Sequence, residues 1–194
     1  MAKPNMISKE KLIQLAKECL ADKGIEKFTL RSVAEKAEVT QGTVYYHFRT
    51  KEQLLLDIVK DVCDRSWNEV AQEEDVIKQA LESAKSRCGS DSFYHKLFFT
   101  LIAAGLNNEK IKEQLGSVLE QENKALAGNL TKIWAQSPVT GVSLEGWGVL
   151  FNAIVDGIAL QALMIKDFPV EKAYEGLEQL VALLSNLAMR EEGE

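Results

Sequence analysis

The amino-acid sequence predicts an all-α protein of about nine helices, with a small three-helix unit first and a larger helical body behind it. Three observations carry that expectation. Apolar residues recur at spacings of three and four almost throughout the chain. The only prolines are Pro4, Pro138 and Pro169, and each falls outside a periodic run. No stretch alternates with a period of two over β-branched residues, so no sheet is expected.

The first helix begins near Ser8, carries Leu12, Ile13, Leu15, Ala16 and Leu20, and has Gly24 as a natural stop. Thr29 caps a short second helix with Leu30, Val33, Ala34 and Ala37. After a tight break at Glu38-Val39, Thr40 opens a third. Phe28, Leu30, Val33, Val39, Val44 and Phe48 have the size and spacing to close a small core. Two short helices joined by a few residues form a helix-turn-helix. The first domain is placed at residues 1–51 and the body at 52–194, with a fourth helix over 51–71 connecting them.

In the body, a fifth helix is expected over 75–88, followed by a break at 89–92. A sixth, strongly apolar helix follows and ends at Asn107-Asn108. The seventh should run over 111–136, the eighth over 143–166 and the last to Arg190, leaving a frayed tail at 191–194.

Composition narrows the class. The 194 residues are 46% hydrophobic and 27% charged, the balance of a chain that buries a real core. No apolar run is expected to reach the roughly 18 residues of a spanning helix. The first eleven residues are polar and charged, so a cytoplasmic protein with no membrane association is expected. Cys19, Cys63 and Cys88 are scattered and show no metal-ligand spacing, which makes them buried free thiols rather than a disulfide framework or zinc site. Net charge is −6, yet residues 1–51 hold ten Lys/Arg against six Asp/Glu while residues 52–194 hold thirteen against twenty-three. A basic segment joined to an acidic body localises the attraction for a polyanion at one end.

The run Thr40-Gln41-Gly42-Thr43-Val44-Tyr45-Tyr46-His47-Phe48 is the most informative stretch. Thr40 can cap the helix, and Gln41, Gly42 and Thr43 form a first turn whose backbone can come close to a partner. Two tyrosines and a histidine are a poor composition for a plain surface helix, and suit one pressed against nucleic acid.

Phe28-Thr29-Leu30-Arg31-Ser32-Val33-Ala34-Glu35-Lys36-Ala37, then the run from Val39 to Phe48, then Lys51-Glu52-Gln53-Leu54-Leu55, resembles the TetR/AcrR family of bacterial one-component transcriptional regulators. The likeness covers roughly residues 8–60. It implies a three-helix DNA-binding domain, a connecting helix, and a regulatory domain that holds a ligand cavity and dimerises through its last two long helices.

A helix fits the major groove, and side chains on its outer face reach base edges. On that reading Thr40 caps the third helix and bonds a phosphate; Gln41 and Thr43 reach bases or phosphates. Gly42 permits close approach, and Tyr45 contacts a base or thymine methyl. Tyr46 and His47 clamp phosphates. Lys51 adds charge at the next helix start, and Thr29 and Arg31 pin the opposite side of the groove. Val44 and Phe48 are core.

For the body, Trp147, Leu150, Ile154 and Ile158 on one helix and Leu177, Leu180, Leu184 and Leu187 on the next form a seam expected to pair two copies, with Gly146, Gly148 and Gly157 easing backbone approach. Phe93, Leu97, Phe98, Leu101, Trp134, Phe151, Asn152 and Val155 are the candidate lining of a largely apolar effector site, with His95, Asp156 and Gln161 as further polar contacts. No catalytic group, metal site or cofactor is expected, because only His47 and His95 are present and no nucleotide-binding or nucleophile-elbow sequence occurs. The expected function is a DNA-binding repressor, homodimeric on a palindromic double-stranded operator and released by a small, largely apolar effector. The alternative is a regulator whose body binds a protein partner and has no small-molecule pocket.

Overall fold

The structure, a computed structural model, describes residues 7–70, 76–88 and 93–191. Among the described residues there are nine helices and no strand: α1 (Lys9–Lys27), α2 (Leu30–Lys36), α3 (Gln41–Phe48), α4 (Lys51–Val70), α5 (Val76–Ser86), α6 (Phe93–Gly105), α7 (Glu109–Leu130), α8 (Leu144–Met164) and α9 (Val170–Glu191). The break expected at 89–92 lies outside the described residues, as does the tail expected at 191–194 except for Glu191, which closes α9.

Packing divides the chain into two compact units, Met1–Val62 with Leu97–Leu115, and Cys63–Lys96 with Gly116–Glu194. The first is therefore larger than the 1–51 domain read from the sequence, because parts of α4, α6 and α7 belong to it.

In the first unit, the Ser8 hydroxyl accepts from the Lys11 amide at 3.2 Å and starts α1. Gly24, at φ +71°, interrupts that helix, as its position in the sequence leads one to expect. Thr29 and Ser32 close a reciprocal cap on α2: Thr29 Oγ1 accepts from the Ser32 amide and Ser32 Oγ accepts from the Thr29 amide, both at 3.0 Å. Leu12, Ala16, Phe28, Val33, Val44 and Phe48 are fully or almost fully buried. Lys9 and Lys17 each reach an α4 carboxylate, Asp57 and Asp61, at 2.7 Å, so α1 is held to α4 by two ion pairs beside the apolar contact.

In the second unit, Trp134, Trp147 and Phe151 form an aromatic cluster with centroids 5.6–6.3 Å apart. Trp134 is 1% exposed and donates through Nε1 to Ser185 Oγ at 2.9 Å; α7 ends at Leu130, short of the expected 136, and the turn that follows sends this indole inward. Gly148 lets α8 lie against α7: a Cβ there would sit 2.6 Å from the Asn123 carbonyl oxygen. That close approach is within the chain. At Gly157 a Cβ would meet nothing within 4 Å.

One expectation is corrected here. α8 is long and apolar enough, by length and composition alone, to cross a membrane, with a mean hydropathy of 1.5 over 18 residues. The reason is that it is apolar on two faces. Gly148, Phe151, Ile158 and Ala159 are buried, while Val149, Leu150, Ile154, Leu160 and Met164 are exposed, and only 22% of the window is buried.

Candidate functional site

α3 separates its residues by helical spacing. Val44 and Phe48, four apart, are fully buried, while Gln41, Gly42, Tyr45 and Tyr46 are exposed and share the outer face. The cap is as expected: Thr40 Oγ1 accepts from the Thr43 amide at 3.2 Å and lies 3.0 Å from Thr43 Oγ1. Tyr46, 68% exposed, meets the half-buried His47 ring edge-on at 5.2 Å. A Cβ on Gly42 would touch only Thr40 Oγ1, at an ordinary 3.6 Å, so the fold itself does not require glycine there.

The flanking residues divide. Thr29 is exposed, with its hydroxyl oxygen engaged in the α2 cap. Arg31 is exposed and paired with Glu35 at 3.0 Å. Lys51 donates to the Ile25 carbonyl at 2.8 Å and lies 6.0 Å from the Phe28 ring centre. It braces the end of α1 and does not stand free at the helix start. Arg49, which sequence reading passed over, follows α3 directly and lays its guanidinium 5.3 Å from the Tyr45 ring centre. It brings a positive charge to the tyrosine face that α3 itself lacks.

The second unit holds a cavity of about 90 Å³ whose walls come from α4 to α9. Trp67, Leu81, Leu126, Phe151, Val155 and Val181 form much of its apolar surface. Arg87, Tyr94, His95, Glu122, Asn129, Asn152 and Asp156 bring polar groups to it. Of the expected lining, Phe151, Asn152 and Val155 are present, as are His95 and Asp156. Leu97, Phe98 and Leu101 are not, because they are buried in the first unit. Phe93 and Trp134 also lie outside the lining, and Gln161 bonds back to the Gly157 carbonyl.

Glu122 Oε1 accepts from Tyr94 Oη at 3.2 Å and from Cys63 Sγ at 3.1 Å. Burial raises the Glu122 carboxyl above its ordinary pKa, against the pull of those two donors and the Arg87 charge. Burial first, and then the Glu122 charge, push Asp156 up to about 7. Arg87 donates to Ser66 Oγ at 2.8 Å and lies 5.4 Å from the Tyr94 ring centre. Burial lowers the pKa of His95, whose Nδ1 lies 2.9 Å from the Arg87 carbonyl; the neutral ring donates there. Burial also raises the thiols of Cys63 and Cys88, which with Cys19 are buried and unbridged.

The family model described as "Bacterial regulatory proteins, tetR family" matches residues 12–58, which span α1 to α4 up to Ile58. The chain carries, over residues 12–58, the domain of the TetR family of bacterial regulatory proteins. Among curated TetR-family proteins, it is 32% identical over 74 residues to the transcriptional repressor KstR2 of Mycolicibacterium smegmatis, covering 38% of this chain and 36% of that one. The alignments with KstR2 and with the second curated relative each span only 36% of the relative's length. Two solved structures share the fold over most of both chains. A TetR-family regulator from Rhodococcus sp. superposes with a TM-score of 0.69 at 18% identity, covering 90% of this chain and 96% of that one. The multidrug binding protein EbrR, solved with proflavin, gives 0.58 at 23% identity, covering 89% and 98%.

The expected dimer seam is sorted by the second unit's own core. Ile158, Leu177 and Leu184 are buried within the chain, Leu177 against the cavity, and so are withdrawn from the seam. Trp147 is half-buried, stacks on Phe151 and donates to Ser137 Oγ at 3.0 Å. Leu150, Ile154, Leu180 and Leu187 are 36–47% exposed, and Leu183, which the sequence reading left out, is 58% exposed. On α9 the outward stripe keeps Leu180 and Leu187 of the expected seam and has Leu183 where Leu184 was expected.

Trp67, Arg87, Tyr94, Glu122 and Asn129 were missed at the cavity. For Glu122 a signal existed: it continues the spacing of Leu115, Val118 and Leu119 toward Leu126, a carboxylate on the apolar side of a helix.

Proposed function

We propose that the protein is a sequence-specific DNA-binding transcriptional repressor that acts as a homodimer on a palindromic operator and is released by a small molecule held in the cavity of the second unit. The observation that carries the reading is α3: Gln41, Gly42, Tyr45 and Tyr46 stand on one solvent-exposed face supported by fully buried Val44 and Phe48. A major groove admits such a helix, and its outer side chains meet base edges. Thr40, Thr43, His47 and Arg49 flank that face and would bond phosphates, with Thr29 and Arg31 across the groove; Lys51 braces the end of α1 through the Ile25 carbonyl.

Two reading heads require pairing of two copies. The exposed apolar residues of α8 and α9 supply a surface for it: Leu150 and Ile154 on one, Leu180, Leu183 and Leu187 on the other. This pairing also accounts for the apolar outer face of α8 without a bilayer. Sedimentation of Leu180→Arg with Leu183→Arg should give a monomer; a persistent dimer rejects the interface.

The cavity favours a small effector over a protein partner, since it has walls from six helices and internal polar groups. EbrR was solved with proflavin and is similar in fold. The deciding experiment is selection of genomic fragments with purified protein, followed by gel shift. Gln41→Ala with Tyr46→Ala should abolish the specific complex and leave the helical circular dichroism unchanged. Unaltered binding would reject α3 as the reading element.

A further inference from the structure

We propose that Arg49 is a positioning residue for Tyr45: its guanidinium lies over the phenol ring and holds it in the orientation that meets a base, so that discrimination at that base pair depends on both residues. The inference rests on α3 as the element that reads DNA, and goes beyond the phosphate bond that a charge beside that face would supply.

The backbone at Arg49 is constrained from both sides. It lies at φ +51° and ψ −47°, between α3 and α4. Its own N–H donates to the Tyr45 carbonyl at 3.0 Å and completes the last turn of α3. The next N–H, of Thr50, donates back to the Phe48 carbonyl, which makes Arg49 the central residue of a γ-turn with positive φ. Thr50 then caps α4: its hydroxyl oxygen accepts from the Gln53 amide at 3.1 Å and its carbonyl from the Leu54 amide at 3.3 Å. Buried Phe48 on one side and the α4 cap on the other impose this conformation on the residue between them. Glycine adopts such a φ without steric cost. An arginine there is held at a local cost, and its side chain makes a contact that glycine could not.

That contact is with Tyr45. The guanidinium carbon lies 5.3 Å from the ring centre, within the range of a cation–π interaction. Nearby cations of the same unit are used differently: Arg31 pairs with Glu35, Lys36 with Asp22, and Lys51 with the Ile25 carbonyl. Tyr45 itself is 50% exposed on the outer face of α3. An exposed phenol with no such neighbour samples several rotamers and loses that freedom on binding; a ring already held by a cation has less to lose. The stacked cation covers one face of the ring and leaves the other face and the hydroxyl for a base edge or a thymine methyl. A guanidinium keeps its N–H donors at its rim while stacked, so the same group can also bond a phosphate.

A phosphate bond alone and a held ring differ in what their removal costs. Loss of a phosphate donor weakens binding to all sequences alike and lowers the salt slope by about one. Loss of a residue that orients a base-reading side chain relaxes preference at that side chain's base pair, and has no further effect there once the side chain itself is gone.

The test uses the full chain and the duplexes that the wild-type protein enriches from a random-sequence pool. Enrichment with Tyr45→Ala locates the base pair that Tyr45 reads. Arg49→Gly should relax preference at that same base pair by at least about fivefold, the low end of what one base contact contributes. It should also raise the urea midpoint, since glycine fits the turn. Arg49→Gln, which removes the charge and keeps a β-carbon in the turn, should relax the same base pair. Tyr45→Ala with Arg49→Gly should discriminate there as Tyr45→Ala alone does. Uniform weakening across sequences, additive with Tyr45→Ala, would overturn the proposal in favour of a phosphate contact. A lower urea midpoint with every preference intact would overturn it in favour of a purely structural turn residue. A Tyr45→Ala protein that keeps every preference would overturn it by removing Tyr45 as a base reader. No sequence enriched by the wild type would overturn both it and the reading role of α3. Loss of the specific complex in Gln41→Ala with Tyr46→Ala, beside an Arg49→Gly protein of unchanged preference, upholds α3 and rejects the pairing with Tyr45.

Discussion

On α3 the polar side chains point out from two buried apolar residues, Val44 and Phe48; around the cavity of the second unit the polar side chains are enclosed by apolar ones. The chemistry of the two sites follows from that inversion. A solvated phenol or amide on α3 can change partner at little cost to folding, because water already satisfies it. The part-buried Asp156 and Glu122 are held at a cost, since burial raises both carboxyls and disfavours their charged forms. The first site is tuned by contact and the second by electrostatics.

The sharpest way to break this contrast is on α3 itself. Phe48→Ala, at a fully buried position, should lower stability by about 3–5 kcal/mol. Tyr46→Ala, two residues away and 68% exposed, should change it by no more than about 0.5 kcal/mol and still weaken operator binding. Urea melts beside gel shifts measure both. Equal stability losses would mean that the outer face is structural.

The second prediction concerns pH. The Asp156 carboxyl is raised to about 7 in the folded chain and stands near 4 when unfolded. The folded state therefore holds this proton more tightly. Its stabilising effect is complete below about pH 4 and is lost as pH rises through 7. Asp156→Asn should remove that loss and raise stability at pH 8, relative to pH 4, by on the order of 2–4 kcal/mol. Thermal melts at both pH values check the sign; no relative gain at pH 8 would show that Asp156 is not a buried cost.

Gly148→Ala should follow in size. Its Cβ would meet the Asn123 carbonyl at 2.6 Å and Ala127 Cβ at 3.2 Å, and forcing α8 from α7 should cost about 1–3 kcal/mol. Gly42→Ala gives the smallest effect and the opposite sign. Helical alanine should add about 0.5–1 kcal/mol of stability while the added methyl reduces operator affinity. A variant that is both more stable and equally tight on DNA would show that the backbone of α3 does not approach its partner closely.

The sequence by itself determined the helices, the caps at Ser8, Thr29 and Thr40, and the split of α3 into a core side and an outer side. These are local properties: capping hydroxyls act within three residues, and a helix of known phase assigns its own faces. It also placed Phe151, Asn152, Val155, His95 and Asp156 near a cavity, because they lie at helical spacing among apolar neighbours. Tertiary structure decided the rest. Leu97, Phe98 and Leu101 look like pocket walls by composition, yet packing assigns them to the first unit. Lys51 reads as a free cation until the Ile25 carbonyl is seen 2.8 Å from it. Leu177 and Leu184 share a stripe with Leu180, but which leucines face inward depends on how α9 is rotated against its own unit. Periodicity fixes which residues share a face; only the neighbouring helices fix what that face meets.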